Sequence, residues 1–332
     1  MENMSISPTL LDALRLEAKQ KTHLSYADFI RIVAFDPQAG YYAKHRDRVG
    51  RSPETDFYTA ESLGRVFGQL VAAAAIDLLG SREEAEKHVF VEIGAEPGRC
   101  VLDGVRHPFP ETLVLRLNDP KLIPRRSVVF ANEWLDSLPF NRLRFDQAMG
   151  WQELGVTIKA NELQEITLPS LSAPVQGISN RLPTECCENY RLDLTINAND
   201  ALREIVSQEW RGAFFTFDYG KPWGELIHEH PKGTARVYEN HRSHGDLLSR
   251  PGEVDMTCHL CWDFLIEVLQ KANFSNAQVE RQESFLVKRA SKAIRAIIEK
   301  NSGGIDEECR TLQELLHPAC MGDAFQVLSA VR

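Results

Sequence analysis

The pattern of hydrophobic and polar residues changes period several times between residues 88 and 288. Short runs rich in β-branched and aromatic residues, such as 89–93 and 213–217, are typical of buried strands. Apolar residues at every third or fourth position indicate amphipathic helices, and the longest such stripe covers residues 61–79. This alternation predicts an α/β fold with a doubly wound, mostly parallel, Rossmann-like sheet.

Weaker segments complete the prediction. Further strands are expected at 112–117, 127–131, 142–145 and 151–158, and a strand or hairpin at 278–288. Further helices are expected at 8–20, at 26–35 after a Ser25 cap, at about 99–105, from an Asn199 or Asp200 cap to Trp210, after Thr257, and on either side of Gly303 and Gly304. We therefore divide the chain into an N-terminal helical extension and lid (1–85), an α/β core (86–290) with an excursion at about 142–195, and C-terminal helices packed on the core (291–332).

A glycine-bearing loop follows the first core strand. It contains Glu92, Gly94, Glu96 and Gly98 at alternate positions. An NAD-binding loop requires glycines in the pattern G-x-G-x-x-G, which is absent here. The E-x-G-x-G-x-G loop of S-adenosylmethionine (SAM) methyltransferases fits better, although Glu96 replaces its middle glycine. A third interpretation is that the glycines only make a strand-to-helix turn.

Composition narrows the range of partners. The 332-residue chain is 43% hydrophobic, carries a net charge of -9 and has no long basic run, so a small molecule or a protein is a better partner than nucleic acid. We find no leader peptide and no stretch long enough to span a membrane, and we read the seven cysteines as reduced thiols, which together predict a cytoplasmic protein. Cys258 and Cys261 fall on a predicted helix without a second cysteine pair, so we predict no metal site.

Motifs spread over the whole length resemble one family. These are residues 35–42, 56–59 with 67–68, 92–98, 131–139, 217–220, 233–234 with 241–242, 255–259, 284–286, and 318 with 321–322. In this order they resemble the MidA family of class I SAM-dependent methyltransferases, whose mitochondrial members resemble a complex I assembly factor that methylates arginine. The resemblance implies a class I methyltransferase fold, SAM as the cofactor and a protein side chain, arginine by family likeness, as the acceptor.

Two features depart from the family pattern. A carboxylate at Glu96 beside the carboxylate of SAM would cost up to about 4 kcal/mol at ~4 Å and an effective dielectric of ~20, whereas beside the ammonium group it would be favourable. The segment between Gly98 and Ala131 is also much shorter than in the family. These departures support an alternative: a degenerate relative that binds a partner protein without catalysis. An NAD-linked oxidoreductase lacks the glycine pattern.

The candidate site follows from the strand ends and the resemblance. A guanidinium group stays protonated in proteins, so carboxylates must orient it and help to remove a proton during methyl transfer. We predict that Glu133, Asp136 and Asp218 are catalytic, with Glu133 foremost. The predicted cofactor-binding residues are Asp56, Phe57, Thr59, Glu92, Gly94, Glu96, Gly98, Asp119 and Asn132, of which Asp119 is the candidate ribose acid.

Each of these assignments has a plainer alternative. Asn132 and Glu133 are also suited to capping a following helix, and Asp218 to making a turn before Tyr219 and Gly220. Phe57 is equally suited to a place in the core.

Overall fold

The computed structural model describes residues 6–18, 23–44, 64–239, 242–300, 306–322 and 325–332. Its α-helices are α1 (Pro8–Ala18), α2 (Tyr26–Phe35), α3 (Arg65–Leu78), α4 (Arg82–Ala85), α5 (Ala173–Gln176), α6 (Ile196–Val206), α7 (Trp223–His228), α8 (Trp262–Lys271), α9 (Gln282–Arg289), α10 (Ser291–Lys300) and α11 (Glu307–Leu316). None of the helices within the described ranges is long and apolar enough to cross a membrane.

The β-strands of the same residues are β1 (Leu24–Ser25), β2 (Val89–Ile93), β3 (Thr112–Leu115), β4 (Arg126–Asn132), β5 (Asn141–Asp146), β6 (Gly150–Lys159), β7 (Glu162–Thr167), β8 (Arg191–Leu194), β9 (Arg211–Asp218), β10 (Gly220–Lys221), β11 (Arg236–Glu239), β12 (Arg242–His244), β13 (Asp255–Thr257), β14 (Leu260–Cys261), β15 (Ser275–Arg281) and β16 (Gln326–Val331). Tertiary contacts group the chain into two units. We call residues 59–134, 201–220 and 262–332 the parallel unit, and residues 1–58, 135–200 and 221–261 the antiparallel unit. This grouping cuts across the linear division predicted from the sequence, which stays a prediction.

The parallel unit contains a six-stranded mixed sheet in the order β15-β16-β9-β4-β2-β3. Strands β3, β2, β4 and β9 are parallel, and β16 pairs antiparallel with both β9 and β15. An apolar core covers one face of this sheet, where α3 lies close to α9, α10 and α11. The α/β class is therefore confirmed, with mixed sheets.

The connection from β2 to β3 differs from the prediction. Residues 99–105 form turns rather than a helix, and no helix lies anywhere between 94 and 125. Proline residues at 108 and 110 follow directly, and Gly104 has a φ of 68°, so the backbone leaves helical geometry within one turn. Loops alone therefore connect β2 to β3 and β3 to β4.

The antiparallel unit contains a five-stranded sheet in the order β1-β6-β5-β8, with β7 also paired to β6. Helices α1 and α2 pack on it through a core that includes Leu14, Phe29, Phe140 and Val156. The side chain of Ser25 accepts a hydrogen bond from the Asp28 N–H group, which confirms the predicted cap of α2. A separate three-stranded sheet has the order β12-β11-β13.

Several predicted boundaries are wrong. Helix α6 begins at Ile196 rather than after Asn199 or Asp200, because the Thr195 carbonyl already accepts from the Asn199 N–H group. The strand predicted at 278–288 ends at Arg281, where α9 begins. Cys258 and Cys261 lie in extended backbone before α8, not on a helix.

Helices α10 and α11 lie within the range of the predicted C-terminal helical tail, but the end of that range is a strand. Residues 326–331 form β16, whose central residues are buried between β9 and β15. The run Val327-Leu328-Ser329-Ala330-Val331 lacks helical periodicity, and an almost continuous apolar run is typical of a strand covered on both faces.

Candidate active site

The carboxyl ends of β2, β4 and β9 lie side by side in the parallel unit. Ile93 is in register with Ala131, and Asn132 with Phe217. The N–H group of Glu133 donates to the Phe217 carbonyl at 2.9 Å, so the pairing extends one residue beyond β4. In open α/β sheets the ligand binds outside these strand ends. The structure therefore brings together the glycine loop, Asn132, Glu133 and Asp218 at the carboxyl-terminal ends of these strands. We call this region the edge of the parallel sheet.

The two glycines of the loop have different reasons to be glycine. Gly94 has a φ of 84°, and a Cβ atom there would lie 3.0 Å from Trp134 Cδ1. Gly98 has a φ of 73°, but a Cβ atom there would have no neighbour within 4 Å. Gly94 is thus packed against an indole ring, whereas the backbone at Gly98 faces open space where a ligand can approach it.

Glu92 fixes the glycine loop through a hydrogen bond to the backbone that follows it. Its side chain is buried, and Oε2 accepts a hydrogen bond of 2.9 Å from the N–H group of Val101, beyond the glycines. Burial raises the pKa of the Glu92 carboxyl, although this hydrogen bond and one with Cys100 oppose the shift. Burial, followed by the charge of Glu92, also raises the pKa of the Cys100 thiol to about 12. The Glu92 carboxylate therefore fixes the end of the loop through its hydrogen bond with Val101, and its burial costs desolvation free energy.

Asn132 and Glu133 end β4 in an unusual geometry. Asn132 Nδ2 donates to Glu133 Oε1 at 3.1 Å, while Asn132 Oδ1 is buried and accepts no hydrogen bond from the residues that the structure describes. Glu133 has a φ of 48°, a left-handed conformation that costs a non-glycine residue on the order of 1–3 kcal/mol. No helix begins within 133–140, so the alternative that these residues cap a helix is wrong.

Asp218 ends β9 and is fully buried. Its Oδ1 accepts a hydrogen bond of 2.8 Å from the N–H group of Tyr219, which is the local contact expected of a turn. The turn interpretation therefore describes one of its contacts. The residue is in register with Gln326, the first residue of β16, so Asp218 lies at the same end of the sheet as Glu133.

Asp136 belongs to the antiparallel unit, where it is buried and its carbonyl accepts from the Cys258 N–H group at 3.2 Å. In the same unit the Tyr42 hydroxyl donates to Asp255 Oδ1 at 2.6 Å. Burial, then the charge of Asp255 and to a lesser extent that of Asp136, raises the pKa of Tyr42. Both residues fall within motifs of the family resemblance, 35–42 and 255–259, but no local sequence pattern indicates that they pair.

The remaining predicted site residues lie in the turn after β3, in the glycine loop, or outside the described residues. Asp119 is exposed and lies four residues beyond the end of β3. Its carboxylate accepts a hydrogen bond of 2.8 Å from the Arg116 N–H group, within the same turn. Glu96 is half-buried in the glycine loop. Asp56, Phe57 and Thr59 lie outside the described residues.

Residues 110–279, just over half of the chain, match the family described as "Putative S-adenosyl-L-methionine-dependent methyltransferase". The chain belongs to this family. The predicted resemblance is thereby confirmed, and SAM is the cofactor of the family.

Curated relatives align over nearly all of the chain. The protein arginine methyltransferase NDUFAF7 homolog, mitochondrial, of Drosophila melanogaster is 24% identical and covers 97% of this chain and 84% of its own. The Xenopus tropicalis protein arginine methyltransferase NDUFAF7, mitochondrial, is 22% identical and covers 97% and 85%. The Drosophila alignment spans 384 residues against 332 in this chain, so that relative carries internal segments which are absent here.

Solved structures show the same fold. A Burkholderia thailandensis protein bound to S-adenosyl-homocysteine has a TM-score of 0.85 at 23% identity, covering 98% of this chain and 92% of that one. A second crystal structure from the same organism has a TM-score of 0.81 at 22% identity, with coverage of 98% and 91%.

The residues of the parallel unit fit SAM. An amino group of SAM is a hydrogen-bond donor that suits a buried acceptor such as Asn132 Oδ1. The open space next to Gly98 lets SAM approach the backbone closely.

Proposed function

We propose that this chain is a SAM-dependent methyltransferase that acts on an arginine side chain of a protein. The observation that carries the proposal is the edge of the parallel sheet, where a loop with two left-handed glycines lies beside the strained acid Glu133. Family membership supports the cofactor, and the names of the relatives support arginine as the acceptor.

Four residues of the parallel unit are our candidates for holding SAM: Glu92, Gly94, Gly98 and Asn132. Glu92 would fix the loop, the two glycines would let the ligand approach the backbone, and Asn132 Oδ1 would accept from its amino group. When bound, SAM supplies a methyl group on a sulfonium that leaves readily. Asp56, Phe57, Thr59, Glu96 and Asp119 stay predictions from the sequence.

The acids would orient the acceptor. A guanidinium group is a planar cation that pairs with carboxylates, and losing a proton as the methyl group arrives requires a nearby base. Glu133 is our first candidate, because the backbone is held in a strained conformation where the acid leaves β4. Asp218, on the neighbouring strand, is the second. Asp136, which belongs to the antiparallel unit, stays a prediction from the sequence.

Labelling tests the reaction. We would incubate the purified chain with SAM carrying a tritiated methyl group and with proteins from cells that lack this chain, then hydrolyse the labelled proteins. We expect the label in methylarginine. Label confined to lysine, glutamate or another residue would contradict arginine as the acceptor while leaving methyl transfer intact.

The alternative, a degenerate relative that binds a partner protein, is favoured by Glu96 and by the lack of any helix in residues 94–125. Removing the charge with Glu96→Gln tests it, and Glu111→Gln is the matched control, since Glu111 is an exposed acid outside the loop. If the wild-type chain binds neither SAM nor S-adenosylhomocysteine (SAH) and Glu96→Gln restores binding, the degenerate alternative is correct. If the wild type binds SAH, that alternative loses its main support.

A protein substrate follows from the proposed reaction. The cytoplasm stays a prediction from the sequence. The relatives are named mitochondrial. Imaging of the tagged chain in its native cell separates the two compartments.

A further inference from the structure

The antiparallel unit contains a polar cavity of about 690 Å³. Its lining includes Tyr26, Arg142, Glu165, Arg191, Lys232 and Arg236. These residues come from β-strands, helix α2 and loops that are far apart in the sequence, and none of them is a candidate for holding SAM or its acceptor. A cavity of several hundred Å³ is the usual size for a ligand much larger than a single ion.

Two of the cationic side chains are already compensated. Arg191 makes two hydrogen bonds to the carboxylate of Glu165, at 2.7 and 2.8 Å, and Tyr26 donates to the same carboxylate at 2.7 Å. The nearly buried Arg142 lies 3.5 Å from Asp193 and donates to the Lys232 carbonyl at 3.1 Å. Their charges are neutralised and their positions fixed, so they form a rigid wall.

The other two cationic side chains of the lining, Lys232 and Arg236, are not compensated in this way by residues in the described ranges. Lys232 and Arg236 are exposed, and neither forms an ion pair with another residue that the structure describes. The remaining acid of the lining is Asp246, whose carboxylate accepts the Leu248 N–H group at 3.2 Å. This rim is therefore locally positive in a chain whose net charge is -9. Such a reversal of sign raises the local concentration of anionic groups.

We propose that this cavity binds an acidic segment of a partner protein, with Asp or Glu side chains of the segment contacting Lys232 and Arg236. The volume exceeds the need of one carboxylate or phosphate and leaves room for neighbouring residues of a short peptide. Two exposed cations beside the carboxylates of Glu165 and Asp246 suit a short segment with a few separated acidic side chains better than the continuous charge of a nucleic-acid backbone. The proposal does not depend on methyl transfer.

Binding of a labelled peptide of alternating Glu and Gly tests the proposal. We expect the full-length chain to bind it at low salt, and the double variant Lys232→Glu/Arg236→Glu to bind about tenfold more weakly, since two exposed ion pairs are lost. The matched control is Lys159→Glu/Lys292→Glu, which changes the net charge equally at exposed lysines outside the lining. We expect the control to bind as the wild type does.

Three results would overturn the proposal: no binding of the acidic peptide by the wild type, equal loss in the control variant, or equal binding of a peptide of alternating Gln and Gly. Binding of inorganic tripolyphosphate without binding of the peptide would also overturn it and identify a phosphate site. A SAH titration of the same double variant keeps this question separate from the methyltransferase proposal, because none of its changes falls on a proposed SAM-binding residue.

Discussion

The carboxyl groups of Glu92 in the parallel unit and Glu165 in the antiparallel unit have pKa values shifted in opposite directions. In the parallel unit, burial raises the pKa of Glu92, Asn132 Oδ1 has no hydrogen-bond partner in the described part of the chain, and Glu133 has a left-handed backbone. In the antiparallel unit, burial would also raise the pKa of Glu165, but hydrogen bonds from Arg191 and Tyr26 outweigh it and lower that pKa. Glu92 is therefore buried at a cost in desolvation, whereas the Glu165 carboxylate is stabilised by its hydrogen-bond partners.

The difference indicates where function lies. Strained backbone and a buried acceptor without a hydrogen-bond partner in the described part of the chain both lower stability, so their occurrence at the adjacent residues Glu133 and Asn132 is better explained by ligand binding than by folding. Changes to the Glu133 side chain should therefore reduce activity while sparing stability. Changes in the Glu165 cluster should do the reverse.

The largest expected effect is at Glu133. We expect Glu133→Gln to lower kcat by about 10²- to 10⁴-fold, the usual range for a general base, with SAH affinity nearly unchanged. Glu133→Gly should lose activity equally, yet its unfolding free energy should fall by no more than about 1 kcal/mol, because glycine tolerates the left-handed conformation. Methylation kinetics and urea unfolding measure both. A Glu133→Gln variant with normal kcat would remove Glu133 from the mechanism.

Next in size are the glycines of the loop. Gly94→Ala should lower the unfolding free energy by about 2 kcal/mol, from left-handed strain and the contact with Trp134, and should lower SAH affinity. Gly98→Ala should cost only about 1 kcal/mol in stability, since space is open there, and should also weaken SAH binding.

Gly104→Ala is the matched control for these glycines. Gly104 also has a positive φ, 68°, and open space, but it lies outside the loop. We expect the same cost in stability as for Gly98→Ala and an unchanged SAH affinity. If all three variants bind SAH equally well, the loop does not contact the cofactor.

The Glu165 cluster should show the opposite behaviour. Glu165→Gln should lower the unfolding free energy by about 1–2 kcal/mol at pH 7 and leave SAH binding unchanged. The pKa of Glu165 is lower in the folded chain than its ordinary value of 4.5, so its stabilisation is complete above pH 4.5 and is lost as pH falls through the folded pKa. The difference between variant and wild type should therefore shrink in acid. A difference that grows in acid would contradict the assignment.

The smallest expected effect has the opposite sign. Glu92 has a raised pKa, so its ionised form costs stability at neutral pH, and the cost is relieved as pH falls through the folded pKa. Glu92→Gln keeps an acceptor for the Val101 N–H group and should stabilise the chain by less than about 1 kcal/mol at pH 7. Thermal unfolding against pH measures this. A clear destabilisation would show that the carboxylate itself supports the fold.

Much of the parallel unit could be predicted from the sequence. The apolar stripe of α3, the runs that form β2, β4 and β9, and the loop glycines are local patterns, and local patterns determine helices, buried strands and turns. The start of α6 and the turns at 99–105 could not, since backbone hydrogen bonds and nearby prolines override the side-chain preferences that suggested otherwise.

The site itself was only partly predictable. Glu133 was chosen for its chemistry and its place after a strand, but its left-handed backbone depends on pairing with Phe217, more than 80 residues away. The pairing of Tyr42 with Asp255 and the cavity around Lys232 are likewise built from distant segments. A single sequence carries no local pattern for such contacts.

Calorimetric titration of the full-length chain with SAH tests the central claim that the edge of the parallel sheet binds the cofactor. We predict saturable binding of one equivalent, weakened by Gly94→Ala and Gly98→Ala and unchanged in Gly104→Ala and Glu165→Gln. No heat and no thermal shift at millimolar SAH, or binding that none of the loop variants alters, would contradict it.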